Sequence, residues 1–258
     1  MKAATPGDSA AFTAGADGPI IRFDGVSKSY GDNLILDDIN LSIDKGEFVT
    51  MIGLSGSGKT TLLKMINALQ SPDQGRVFVE GRDLAEVDKI ELRRRIGYVI
   101  QSIGLFPHMS VRRNIEYVPR LYPKSKRPAM VIPPEDLMDI VHLDRSLLSR
   151  FPSELSGGQM QRVGIARALA VSPHIMLMDE PFGSVDGITR KQLQTSILEI
   201  QRRLGITIVF VTHDIDEALR LGNRVIVLND RAVAQCDSPR VLRDSPCSDF
   251  VRRLVFRE

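Results

Sequence analysis

The distribution of apolar residues along the chain predicts an α/β fold with a parallel sheet. Three predominantly apolar runs, Phe48–Ile52, Ile175–Met178 and Ile206–Val211, have the length of strands that are buried on both faces. Between residues 193 and 204, apolar side chains recur three and four positions apart, which indicates a helix. Strands that alternate with helices in this way are typical of a parallel core.

The beginning of the chain has a different pattern, which predicts an antiparallel β subdomain beside this core. Apolar and polar residues alternate over residues 39–43, as expected for a half-buried strand. Ile20–Val26 predicts a strand that ends near Gly25, and Arg76–Glu80 predicts another. Near the other end of the chain, Arg224–Leu228 is expected to be the final strand.

A segment with few strand signals interrupts the α/β pattern and predicts an inserted helical lobe at about residues 102–172. Helix Pro134–His142 is one expected member, with two acidic residues in its first turn. Residues 1–18 contain mainly Ala, Gly, Ser, Thr, Asp and Pro, so we expect a disordered tail and no secretory signal. A single domain is expected over residues 19–258. Prolines punctuate the lobe at Pro107, Pro119, Pro123, Pro128, Pro133 and Pro134.

Composition narrows the possible functions. A formal net charge of +2 is too small to argue for nucleic-acid binding. The two cysteines, Cys236 and Cys247, lack metal-type spacing and are expected to be free thiols in a reducing compartment. No apolar run approaches the roughly 20 residues that span a bilayer, so any link to a membrane must come through a partner.

A glycine-rich turn after the first buried run predicts a phosphate-binding loop. Its glycines would let the backbone wrap around an oxyanion, and N–H groups at a helix N-terminus would bind it. Lys59 could then reach the β- and γ-phosphates, and the Thr60 hydroxyl could ligate Mg²⁺. The plainer alternative is a turn that binds nothing. The nucleotide-binding residues that this loop predicts are Gly53, Ser55, Gly56, Ser57, Gly58, Lys59, Thr60 and Thr61.

Two acidic residues follow the second buried run, at the carboxyl end of a predicted parallel strand, where ligands bind in open sheets. We expect Asp179 to hold Mg²⁺ through water and Glu180 to accept a proton from the water that attacks the γ-phosphate. The alternative is a pair that merely ends the strand and faces solvent.

The segment Leu155–Gln159 (LSGGQ) predicts a second anion-binding helix terminus. Ser156 and Gln159 form a capping-box pattern ahead of a helical run over Met160–Ala170. Two glycines lie between them, so an anion could approach the N-terminus of the helix closely. The capping interpretation and the binding interpretation are compatible.

These motifs together resemble the ATP-binding subunits of ABC transporters over roughly residues 20–245. The resemblance implies an ABC nucleotide-binding domain with a P-loop ATPase core and two cofactors, ATP and Mg²⁺. It implies that Tyr30 stacks on adenine, that Gln101 lies near Mg²⁺ and the attacking water, and that His213 contacts the γ-phosphate. Catalysis would then involve Glu180, His213, Gln101 and Lys59, with Thr60, Gln101 and Asp179 at the metal.

In that family two cassettes pack head to tail, and each ATP lies between them. The resemblance implies that Ser156, Gly158 and Gln159 act on the partner's nucleotide and that Asp186 crosses the interface. The implied partners are a second ATP-binding subunit, in a homodimer, integral membrane permease subunits and, indirectly, a substrate-binding protein. A cytoplasmic location follows, at the inner face of the cell membrane.

A narrower resemblance links the chain to importers of quaternary amines and osmoprotectants. Residues 96–109 (IGYVIQSIGLFPHM) and 180–190 (EPFGSVDGITR) are similar to that group, although Val185 and Gly187 depart from its pattern. Many members carry a regulatory domain after the cassette, and none is expected here. The alternatives are an importer of another small solute, a soluble ABC ATPase of translation or repair, and a P-loop kinase or GTPase.

Overall fold

The computed structural model describes residues 18–102, 104–122 and 132–257 of the chain. Apart from Gly18, the predicted tail lies outside the described residues. The strands are β1 (Ile21–Tyr30), β2 (Asn33–Ile43), β3 (Phe48–Gly53), β4 (Gln74–Val79), β5 (Arg82–Asp83), β6 (Ile96–Val99), β7 (Ile175–Asp179), β8 (Thr207–Val211), β9 (Arg224–Asn229) and β10 (Ala232–Asp237). The helices are α1 (Lys59–Ile66), α2 (Lys89–Arg95), α3 (Val111–Ile115), α4 (Tyr117–Arg120), α5 (Pro134–Ile140), α6 (Gly157–Leu169), α7 (Gly187–Leu204), α8 (Ile215–Leu221), α9 (Pro239–Asp244) and α10 (Asp249–Phe256).

A six-stranded sheet forms the centre of the molecule, in the order β10-β9-β3-β8-β7-β6. Every pairing in it is parallel except that of the edge strand β10 with β9. All residues of β7 and β8 are buried, and successive side chains enter two different clusters. Met176 and Met178 pack with α6 and α7, whereas Ile175 and Leu177 pack with α1 and the smaller sheet. The predominantly apolar runs therefore arise because both faces of the sheet are covered.

The parallel arrangement determines where the candidate chemistry lies. The glycine-rich loop follows β3, Gln101 follows β6, the pair Asp179–Glu180 closes β7, and His213 follows β8. Because these strands run in the same direction, their carboxyl ends form one edge of the sheet. Residues that are far apart in the sequence meet at that edge.

The smaller sheet is antiparallel, in the order β2-β1-β4-β5, as the alternating pattern predicts. The prediction that its first strand ends near Gly25 is wrong, because β1 continues to Tyr30. Its pairing with β2 shifts register after Phe23, and Gly25 takes a φ of 57°. Such a bulge inserts extra residues without ending a strand. The continuation brings Tyr30 to the edge of the central sheet that holds the glycine-rich loop.

The prediction that the chain's final strand is Arg224–Leu228 is also wrong. β10 pairs antiparallel with β9 and is followed by α9 and α10. The two strands are joined at Asp230 and Arg231, which have φ values of 45° and 72°. Hairpin turns of this kind usually contain glycine, so the sequence carries no strong signal for this one.

Helices occupy the segment where the sequence predicts an inserted lobe. Between residues 104 and 172, the described residues form α3, α4, α5, α6 and two short 3₁₀ turns, and none of them is in a strand. Helix α5 covers Pro134–Ile140, close to the predicted helix Pro134–His142. The limits of the lobe and the single domain over residues 19–258 stay predictions. Among the helices that the structure describes, none is long and apolar enough to cross a membrane.

Candidate nucleotide-binding site

The glycine-rich loop curls between β3 and the first turn of α1. Gly53 has a φ of 152°, and a Cβ added there would lie 2.3 Å from the carbonyl oxygen of Leu228. Gly58 caps α1 with a φ of 91°, and a Cβ there would lie 2.5 Å from Leu36 Cδ2. Both positions therefore require glycine, because a side chain would clash and strain the backbone. The loop leaves backbone N–H groups at the start of α1 available to an anion.

Lys59 is held against this loop by hydrogen bonds. Its Nζ donates to the carbonyl oxygens of Gly53 at 2.9 Å and Leu54 at 2.7 Å. Burial lowers the pKa of the Lys59 ammonium, and the nearby carboxylates of Glu180 and Asp179 partly oppose that shift. A cation held beside several backbone N–H groups at the start of a helix is suited to bind phosphate oxygens.

Thr60 and Asp179 face each other across the base of the loop. The Thr60 hydroxyl donates to Asp179 Oδ1 at 3.1 Å, and Asp179 is 3% exposed. Burial raises the pKa of the Asp179 carboxyl, an effect that the Thr60 hydrogen bond opposes. The pair provides a hydroxyl and a carboxylate oxygen, which are the hard donors that Mg²⁺ prefers.

Glu180 lies at the centre of the polar groups above the sheet edge. Gln101 Nε2 donates to Glu180 Oε2 at 3.3 Å, and His213 Nδ1 lies 3.4 Å from the same oxygen. The Glu180 backbone has a φ of 47°, in the left-handed region. Non-glycine residues in that region often occur at functional sites, where the surrounding structure maintains the strain. Gln101, Glu180 and His213 follow the ends of three different strands, as the sequence predicts.

The loop and these side chains line one cleft of about 520 Å³. This volume is within the usual range of small-molecule sites. Tyr30 is 45% exposed. Ile35, which the sequence analysis does not select, adds an apolar surface to the cleft. The lining residues are Tyr30, Ile35, Gly53, Ser55, Gly56, Ser57, Gly58, Lys59, Thr60, Thr61, Gln101, Glu180 and His213.

The LSGGQ segment lies elsewhere. Of the described residues that line the cleft, none belongs to this segment. Ser156 caps α6 as predicted: its hydroxyl accepts from Gln159 N at 3.3 Å, and Gln159 Oε1 accepts from Ser156 N at 2.8 Å. A Cβ added at Gly158 would lie 3.1 Å from Ser184 O. This terminus of α6 therefore packs against the segment that follows Glu180.

Asp186 ends that segment and also lies outside the set of cleft-lining residues that the structure describes. Its carboxylate caps α7 by accepting from Ile188 N at 3.2 Å and Thr189 N at 3.0 Å. These hydrogen bonds, chiefly that from Thr189, lower the pKa of the Asp186 carboxyl. The predicted role across an interface is not visible in a single chain and stays a prediction.

Two buried polar groups behind the cleft were missed by the sequence analysis. Gln161 bridges the backbone of Glu180 and Ser184, and Glu217 accepts hydrogen bonds from Thr212 and Gln194. A weak signal exists for Gln161, because it shares a helical face with residues 165 and 168, which are apolar and buried. A lone polar residue on such a face needs a partner.

Comparison with known proteins agrees with this geometry. The sequence profile of the family described as "ABC transporter" matches residues 36–183. The chain belongs to the ABC transporter family. It is an ATPase cassette of that family, with the α/β fold that the sequence predicts. The dimeric post-hydrolysis structure of the ATP-binding cassette MJ0796, bound to ADP and Pi, is 35% identical, with a TM-score of 0.76, 85% of this chain covered and 99% of the other.

Two curated relatives that the chain resembles are named for the transport of glycine betaine. The glycine betaine/carnitine/choline transport ATP-binding protein OpuCA of Bacillus subtilis is 46% identical over 93% of this chain and 63% of its own length. The glycine betaine uptake system ATP-binding protein YehX of Escherichia coli is 48% identical over 92% of this chain and 77% of its own. The chain thus spans less than two thirds of the length of OpuCA.

Proposed function

We propose that two copies of this cassette bind ATP between them and that its hydrolysis drives an importer of quaternary-amine solutes. The observation that supports a dimer is that two elements suited to bind anions lie apart from each other within one chain. The loop around Lys59 lines the cleft, whereas the N-terminus of α6 at Ser156 and Gly158 lies outside it. Head-to-tail pairing would place the second element of each copy over the first element of the other.

Within one copy, each element of the cleft has a distinct chemical task. Lys59 and the loop N–H groups from Gly53 to Thr61 bind the β- and γ-phosphates. Tyr30 stacks on the base, with Ile35 beside it. Glu180 accepts the proton of the attacking water, and its side chain is oriented by Gln101 and by His213, which also contacts the γ-phosphate.

We assign the metal site to Thr60, Asp179 and Gln101. The contact between the Thr60 hydroxyl and Asp179 supports this assignment, since both provide oxygen donors at the base of the phosphate loop. Asp179 would act through a water molecule. Bound Mg²⁺ would neutralise charge on the β- and γ-phosphates during phosphoryl transfer.

The second copy would complete the site across the interface. Ser156, Gly158 and Gln159 would donate to the partner's γ-phosphate from the start of α6, and Asp186 would cross to the partner. Because donors from both copies would surround one triphosphate, closure of the dimer would depend on that triphosphate being bound. Hydrolysis removes the bridge, so the two cassettes separate.

Transport requires partners that cross the membrane. We propose that the cassette binds integral permease subunits at the cytoplasmic face of the cell membrane and that a substrate-binding protein delivers the solute. The similarity to OpuCA and YehX supports glycine betaine, choline and carnitine as the solute class. A sulfate importer is the second candidate, because the sulfate/thiosulfate import ATP-binding protein CysA of Pseudomonas aeruginosa is 42% identical.

Uptake by cells tests this proposal. In a strain that lacks its other quaternary-amine importers, the gene is deleted and uptake of labelled glycine betaine, choline, carnitine and sulfate is measured at high osmolarity. We expect the deletion to abolish uptake of at least one of the quaternary amines. The wild-type gene should restore that uptake, and the gene for the Glu180→Gln variant should not. Loss of sulfate uptake alone, or unchanged uptake of all three amines, would contradict the assigned solute class.

A further inference from the structure

The side chain of Gln161 is buried in helix α6, directly behind the candidate base. It is 3% exposed, and both ends of its amide are used. Nε2 donates to the carbonyl oxygen of Glu180 at 3.2 Å, and Oε1 accepts from the backbone N–H of Ser184 at 3.0 Å. A carbonyl accepts and an N–H donates, so these two partners fix the orientation of the amide.

The segment that Gln161 contacts needs external support. Glu180 has a φ of 47°, an unfavourable conformation for a residue with a side chain. Its N–H donates to Val211 O of β8 at 3.0 Å, and its carbonyl also accepts from Gly183 N at 3.3 Å. Gln161 thus supplies the side-chain hydrogen bond on the carbonyl of this strained residue. Losing it would leave the Glu180 backbone freer to relax and to re-aim its carboxylate.

The helix that carries Gln161 also carries the segment proposed to bind the partner's nucleotide. Helix α6 is capped by Ser156 and runs from Gly157 to Leu169. Gly158 packs against Ser184, and one turn further along the helix Gln161 binds the same residue's N–H. A displacement of α6 would therefore be transmitted through Gln161 to both ends of the segment from Glu180 to Ser184.

We propose that Gln161 is a positioning residue that holds Glu180 in its reactive orientation and links it to the N-terminus of α6. The inference rests on the proposed role of Glu180 as the base. Gln161 does not line the cleft, so its removal should affect the rate of hydrolysis and leave nucleotide binding unchanged. Misplacing a reacting group by about 1 Å can cost about 100-fold in rate.

The chain contains a closely matched control. Gln235 is also buried, at 8% exposed, and its amide bridges a carbonyl and an N–H of one loop. Nε2 donates to Ser245 O at 3.2 Å and also to Asp237 Oδ2 at 3.0 Å, and Oε1 accepts from Cys247 N at 2.9 Å. Gln235 lies in β10, at the sheet edge away from β7. Gln161→Met and Gln235→Met therefore both remove an amide that bridges a backbone carbonyl and a backbone N–H, near to and far from Glu180. Gln235→Met also removes the hydrogen bond to Asp237, so it is the more severe control for stability.

The test measures kcat, the KM for ATP, the Kd for ATP and the melting temperature of the purified variants. We expect Gln161→Met to lower kcat about 10- to 100-fold with the Kd for ATP changed less than about twofold. Gln235→Met should lower the melting temperature at least as much and leave kcat within about twofold. Gln161→Glu keeps the size of the side chain and its acceptor oxygen but loses the N–H donor, so it should also lower kcat. This variant replaces Gln161→Met in the test if the methionine variant is unstable.

A double-variant comparison separates positioning from general destabilisation. If Gln161 acts through Glu180, Gln161→Met should lower kcat little further once Glu180→Gln is present. The inference would be overturned if the fold-losses in kcat of the two single variants multiplied in the double variant. An unchanged kcat in both Gln161→Met and Gln161→Glu would also overturn it. If Glu180→Gln itself hydrolyses ATP at the wild-type rate, the proposed base and this inference both fail. A slow Glu180→Gln with normal Gln161 variants overturns the inference alone.

Discussion

The hydrogen bonds of the buried Glu217 carboxyl predict how far the free energy of unfolding falls when this side chain is removed. Glu217 is 7% exposed and accepts hydrogen bonds from Thr212 Oγ1 at 2.5 Å and from Gln194 Nε2 at 2.8 Å. Asp214 N donates to the same Thr212 hydroxyl at 3.0 Å. This cluster ties the segment that contains His213 to helix α7.

Glu217→Ala would leave two buried donors, Thr212 Oγ1 and Gln194 Nε2, without their acceptor. Each such group costs about 1–3 kcal/mol, so we expect the free energy of unfolding to fall by about 2–6 kcal/mol. Urea unfolding followed by circular dichroism measures this change. A loss below about 1 kcal/mol with an unchanged m-value would refute the reasoning, because the two donors would then have found other partners.

The charge of Glu217 gives the same cluster a pH dependence. Burial raises the pKa of the Glu217 carboxyl above its ordinary value of 4.5, and the hydrogen bonds from Thr212 and Gln194 oppose that shift. The folded state then binds more protons than the unfolded state, so this group's contribution to stability is lost as pH rises from 4.5 through the raised pKa.

Glu217→Gln does not titrate and is the control for this effect. The free energy of unfolding of this variant, minus that of the wild type, should rise with pH across that interval and level off above it. Other titrating groups are common to both proteins, so their contributions cancel. A difference that is flat or falls with pH over the same interval would refute the assigned direction.

Three further substitutions test separate parts of the account. Tyr30→Ala should weaken ATP binding by about 1–3 kcal/mol, measured by calorimetry, whereas Tyr30→Phe should bind normally because the ring is retained. Ser156→Arg should abolish hydrolysis while the monomer still binds ATP, and loss of binding by the monomer would place this residue in its own copy's site. Gly97→Ala puts a Cβ 2.7 Å from Ala168 O, so it should cost about 1–3 kcal/mol in urea unfolding, and an unchanged midpoint would show that α6 can move away.

Features with local causes could be predicted from the sequence. The apolar runs identify β3, β7 and β8 because burial on both faces favours apolar side chains at nearly every position. The phosphate loop and the Ser156 cap depend on residues that are close together in the sequence. The convergence of Gln101, Glu180 and His213 follows from the parallel direction of their strands.

Features that depend on distant contacts could not be predicted. The apolar residues of β10 are small and most of the strand is half-buried or exposed, and its hairpin turn uses Asp230 and Arg231 at positive φ instead of glycine. The partners of Gln161 lie 19 and 23 residues away, on the far side of a strand end. Local sequence patterns contain no information about which backbone groups a buried amide will meet.

The central claim is that ATP joins two copies of this cassette, and the mass of the purified protein tests it most directly. Multi-angle light scattering is measured on the Glu180→Gln variant with Mg²⁺, with and without ATP. We predict one subunit without nucleotide, two with ATP, and one with ATP when Ser156→Arg is added. A Glu180→Gln protein that binds ATP and remains a single subunit at every protein concentration would contradict the account.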